Sequence, residues 1–172
     1  MATFISLILF CQILGAFIGA GATIWGELSY IRALRDGEVD RAERAHLRVI
    51  AHGLRFGMTL LLLSSFALVV VAYLLRVQTQ PALTPSFWSL MVVALLVIYV
   101  SWALSRRRIS FTLGSALVFT AWWFLAYLTI GWMPQLPFMA TLAFGVVATS
   151  IFYGILQYAR MLAHPSRHTP SV

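Results

Sequence analysis

Glu27 is the one acid in or beside an apolar run; Asp36, Glu38, Asp40 and Glu43 all fall in a single charged stretch. An ionisable group deep in a membrane span marks a site by default, because hydrocarbon offers it nothing to pair with. Thr23 precedes Glu27 by one helical turn and lies on the same side. Counted from Thr3 at about 1.5 Å per residue, Glu27 sits about 36 Å along a helix, near the inner end of a span and not at its middle. Two uses fit that depth. The carboxylate anchors the helix by pairing with Arg32 or with an arginine of another span, or it holds a ligand together with Thr23.

Trp122-Trp123-Phe124 falls about 18 Å into a later apolar run, near mid-membrane. Indole N–H groups want a partner, so tryptophan prefers interfaces. Two readings follow. Trp122 and Trp123 are packing residues whose N–H groups are met by Thr120, Ser64 or Ser65, or they wall a ligand pocket. With Glu27 and Thr23 they make the candidate polar site.

Other chemistry is thinly represented. Glu43 and His46 form Glu-x-x-His, a spacing that puts both side chains on one helix face. Carboxylate-bridged metal bundles use two such motifs, and this chain has one. His52 and Glu27 are the only nearby additions. Intramembrane haem needs histidines inside spans, whereas His46, His52, His164 and His168 all lie outside them. Cys11 is alone, so there is no disulfide framework and no thiol zinc site. No GxSxG elbow, P-loop, GxGxxG or HExxH occurs. No metal or other cofactor is expected, and an enzyme is disfavoured.

The elements that carry these residues follow from composition. Of 172 residues 61% are hydrophobic and 10% charged, against about 25% charged in soluble domains. So many apolar side chains cannot hide in a core of this size, and lipid must solvate them. A bilayer about 30 Å thick needs about 20 helical residues per span. Five uncharged runs qualify: 3–26, 56–75, 87–105, 110–132 and 138–159. The last two are separated by Met133-Pro134-Gln135-Leu136-Pro137, where each proline removes a donor. Barrel strands would alternate polar and apolar residues, and runs such as 60–63 do not. The expected fold is all-α, a polytopic transmembrane bundle of about five spans forming one domain over 1–163, with a tail at 164–172.

Residues 38–55 read as an amphipathic helix leading into the second span: Val39, Ala42, Ala45, Val49 and Ile50 recur at helical spacing. Asp40 followed by Glu43 resembles a capping box. In the first span Gly15, Gly19, Ala22 and Gly26 line one face with almost no side chain. Such seams let helices approach closely, within one protomer or between copies in a homo-oligomer.

Charge sets the orientation. The formal charge is +7 and all twelve basic residues are arginine. Eleven fall on one side of the five-span topology and only Arg76 on the other. Basic residues near span ends stay in the cytoplasm. The N-terminus is therefore expected outside and the C-terminus inside, in the cell (inner) membrane. Arg106, Arg107 and Arg108 are placed to meet anionic headgroups of the bilayer. Because the arginines flank spans, nucleic acid is not an expected partner.

Three functions remain in view. A small transporter or channel-like protein draws on the seam, Glu27 and the span hydroxyls. A non-catalytic assembly or binding subunit draws on the charged helix. A membrane-embedded metal or redox enzyme draws on Glu43 and His46.

Overall fold

The computed structural model describes residues 2–36, 41–76, 80–131 and 137–163, and their side chains except those of 2 and 33–48. Five α-helices follow in order: α1 (Ala2–Asp36), α2 (Arg41–Leu74), α3 (Pro85–Ser105), α4 (Phe111–Ile130) and α5 (Phe138–Ala163). Each contains a stretch long and apolar enough to cross a membrane. No strand occurs among the described residues. The chain is thus an all-α bundle of five membrane-spanning helices, as hydropathy requires.

The helix ends show where local chemistry overrides hydropathy. α1 continues ten residues past 26, because nothing in 27–36 breaks a helix once it has left the apolar layer. The charged helix and the second span are one helix, α2, with no proline between Arg41 and Leu74. The Asp40 cap lies outside the described residues. α3 starts at Pro85, two residues before the expected 87. Proline at the first helical position has no donor to lose, and Thr84 Oγ1 accepts from the Phe87 N–H at 3.4 Å. α4 ends at Gly131, whose φ of 72° is left-handed.

α3 ends in its own arginines. Arg107 is left-handed, with φ 53°. Its N–H donates to the Leu104 carbonyl at 3.0 Å and the Arg108 N–H to the Ala103 carbonyl at 2.9 Å. That pair of bonds is the Schellman arrangement, with arginine in the position glycine usually takes. Arg106, Arg107 and Arg108 are exposed, and the Arg108 guanidinium lies 4.9 Å from the centre of the Trp102 ring.

Short connections make successive helices antiparallel. The C-terminal ends of α1, α3 and α5 therefore share one end of the bundle with the N-terminal ends of α2 and α4. That end carries Arg32, Arg55, Arg106, Arg107, Arg108 and Arg160, and Arg76 lies at the other. α1 and α4 form the centre: α2 packs on α1, α3 on α4, and α5 on both. Half of α4's most apolar window is buried, against 11% of α5's. The outer faces show Phe4, Leu63, Val146 and Met161, side chains suited to lipid.

The small residues of α1 pack inside the protomer. A Cβ on Gly15 would lie 2.8 Å from the Leu61 nitrogen and 2.9 Å from the Gly57 oxygen. One on Gly57 would lie 2.7 Å from the Gly15 oxygen. One on Gly19 would collide with the Trp122 ring. Ala22 faces Gly53, and Gly26 faces Ile50. Backbone thus meets backbone between α1 and α2, and Trp122 of α4 fills the next gap. Deeper along the same interface Gln12 Nε2 donates to Ser65 Oγ at 2.9 Å.

Candidate functional site

Glu27 is paired with Arg160. Arg160 Nη2 donates to Glu27 Oε2 at 2.7 Å, and the two side chains are 5% (Arg160) and 9% (Glu27) exposed. The same nitrogen donates to Ser115 Oγ at 2.6 Å, and Nη1 reaches the Thr112 carbonyl at a long 3.5 Å. The guanidinium also lies 5.1 Å from the centre of the Tyr30 ring, and Tyr30 in turn stacks on Phe111 at 4.5 Å. Helical spacing arranges this cluster. Glu27 and Tyr30 are one turn apart on α1, Thr112 and Ser115 one turn apart on α4, and Arg160 enters from the last turn of α5. A buried ion pair persists only where good geometry and further hydrogen bonds offset the loss of water. Here one carboxylate, one hydroxyl and one aromatic face do so.

Arg160 counts among the cytoplasmic-side arginines on charge pattern alone, yet it is 4% exposed. The signal in the sequence is that it is the lone formal charge of α5, as Glu27 is the first charge met along α1. Two such residues at the same end of a bundle are each other's cheapest partner. Arg160 still has an Nε–H with no acceptor.

In front of Glu27 lies a cavity of about 540 Å³ between α1, α2, α3 and α4. Thr23, Glu27, Tyr30, Ser101 and Ser115 bring polar groups to its wall; Ile50, Leu54, Leu104, Val118 and Phe119 make much of it apolar. Arg160 is not on the wall. It stands behind Glu27 and balances its charge.

Two of the wall hydroxyls have spent their protons. Thr23 Oγ1 donates to the Ala20 carbonyl at 2.7 Å, and Ser115 Oγ donates to the Thr112 carbonyl at 3.3 Å while accepting from Arg160. A hydroxyl whose proton is used keeps only lone pairs. The cavity therefore presents the Thr23 oxygen and the Glu27 carboxylate as acceptors, with the Tyr30 and Ser101 hydroxyls elsewhere on a largely apolar wall.

Of the four residues expected to form one polar site, Thr23 and Glu27 share this cavity. Trp122 does not; it lines a neighbouring groove between α2 and α3. Trp123 lines neither and packs against the core. The expected partners of the indoles keep free lone pairs but accept from neither ring. Ser64, Ser65 and Thr120 donate to carbonyls of their own helices at 2.7, 2.7 and 2.8 Å, and Nε1 of both Trp122 and Trp123 is buried without a partner. Among the described residues no three His, Cys, Asp or Glu side chains converge. The side chains of Glu43 and His46 lie outside those described.

No family model, no curated protein and no solved structure matches the chain.

Proposed function

We propose that the chain is a small membrane carrier that takes an apolar molecule bearing an N–H or O–H donor into the Glu27 cavity. One observation carries this reading: an apolar cavity of about 540 Å³ whose wall presents the acceptors Thr23 and Glu27, with Glu27 already charge-balanced by Arg160. Ligand pockets are mostly apolar with a few placed polar groups that fix orientation. A donor-bearing ligand satisfies acceptors here without having to neutralise a bare charge.

The middle of the bundle supports a carrier over a pore. Gly15 and Gly19 close on Gly57, and Trp122, Leu61 and Leu125 are fully buried beside them. A ligand held at one end must then wait for a second arrangement of the helices to leave by the other. The arginine asymmetry supports placing the cavity at the cytoplasmic side of the cell membrane, with Arg106, Arg107 and Arg108 against anionic headgroups.

Ethidium, an aromatic cation with two amino groups, is a suitable probe. Sealed proteoliposomes with DNA inside should show saturable ethidium uptake above protein-free liposomes. Thr23→Val should raise the concentration for half-maximal uptake, and Glu27→Gln should abolish saturation. Uptake no greater than in protein-free liposomes contradicts the carrier.

A further inference from the structure

α2 and α3 follow each other in the chain yet, among the described residues, share almost no contact: α2 packs on α1 and α3 on α4. Between them runs a groove of about 620 Å³. Met58 and Leu62 of α2, Val97 and Ile98 of α3, and Trp122 of α4 form its apolar length. Arg55 lines it one helical turn before Thr59, toward the arginine-rich end.

Arg55 has no ion pair among the described residues. Among the described residues the one deeply buried arginine, Arg160, is matched by a carboxylate, whereas Arg55 is exposed and faces an open groove. An apolar slot running along the bilayer normal, capped by an exposed guanidinium at headgroup level, has the shape and charge of one ligand class. That class is a lipid whose anionic phosphate meets Arg55 and whose acyl chain lies along Met58, Leu62 and Ile98. We infer that the α2–α3 groove is a binding site for an anionic phospholipid, with Arg55 as its headgroup contact. The groove is distinct from the Glu27 cavity, although Ala51, Leu54 and Ser101 belong to both walls. The residues assigned to the lipid, Arg55, Met58, Leu62 and Ile98, are not on the wall of the Glu27 cavity.

Native mass spectrometry of the whole protein in mild detergent tests this with phosphatidylglycerol and phosphatidylcholine as probes. One phosphatidylglycerol should stay bound per chain, with phosphatidylcholine clearly weaker. Arg55→Gln should weaken phosphatidylglycerol about fivefold, the worth of one basic residue at a lipid surface, and Arg76→Gln at the opposite end should change nothing. Leu62→Trp, which fills the groove, should remove the bound lipid. A variant in which Trp122 is the sole tryptophan gives a second readout. Although 1% exposed, Trp122 should be quenched by phosphatidylglycerol brominated on its acyl chain, and Leu62→Trp is replaced there by Leu62→Phe to relieve the quenching. Equal retention of the two lipids, an unchanged affinity in Arg55→Gln, or an unquenched Trp122 each overturns the proposal.

Discussion

Separating Glu27 from Arg160 should destabilise the bundle far more than removing both. With side chains 9% and 5% exposed, the pair belongs to the buried regime, where deleting one partner strands the other charge and costs about 3–5 kcal/mol. Exposed pairs, by contrast, give about 0–1 kcal/mol. Arg160 has further contacts with Ser115 and Tyr30, but neither carries a charge to replace the carboxylate. Glu27→Leu alone should therefore lower the melting temperature by roughly 6–20 °C, at about 2–4 °C per kcal/mol for a chain of this size. Arg160→Met alone should do the same. The double variant exchanges the pair for apolar side chains and should return to within about 1 kcal/mol of the parent, or exceed it. The assay is a double-mutant cycle, with unfolding in mixed detergent followed by tryptophan fluorescence. Single variants that each cost less than about 1 kcal/mol would refute the reasoning. So would a double variant whose cost equals the sum of the singles.

Other outcomes follow from the packing. Gly15→Ala puts a Cβ against the backbone of Leu61 and Gly57 and should cost about 1–3 kcal/mol in the same unfolding assay. Gly154→Ala meets nothing within 4 Å and should stabilise by about 0.5–1 kcal/mol. Ser65→Ala removes the acceptor of the Gln12 side chain; the expected loss is about 0.6 kcal/mol, with about 1.7 as the upper bound seen between membrane helices.

Much of this architecture is legible in the residues, because a bilayer imposes one rule on every span. Long apolar runs that do not alternate must be helices, and here prolines and arginines stand at or near their ends. The deviations come from places where that rule is silent. Hydropathy ends at Gly26, but the helix continues to Asp36 because 27–36 holds no proline and extends a helix already nucleated in the span. Arginines 106–108 read as headgroup residues, and their second role as the turn that stops α3 needs the left-handed Arg107 to be seen.

The candidate site was half legible. Thr23 and Glu27 lie one turn apart, so their sharing a wall follows from helix geometry. Trp122 belongs to a different helix, and nothing in α4 alone says that α1 presents Gly19 to its ring while α2 and α3 stand apart. Which spans touch is decided by side-chain shape across helices, a property that no single run contains. The hydroxyls mislead for a related reason. Ser64, Ser65 and Thr120 suggest a polar path, yet in an apolar medium each donates to a carbonyl three or four residues back.

The account turns on the Glu27 cavity being an acceptor-lined space open to a ligand. Thr23→Cys in a Cys11→Ser background places a thiol on its wall. Sealed vesicles of known sidedness are treated with two membrane-impermeant methanethiosulfonates, one carrying a trimethylammonium group and one a sulfonate. Fast modification by the cationic reagent from the arginine-rich side, slow modification by the anionic one, and slowing of the cationic reaction by Glu27→Gln are the predicted results. A thiol that neither reagent reaches from that side, or that the sulfonate reaches first, contradicts the account.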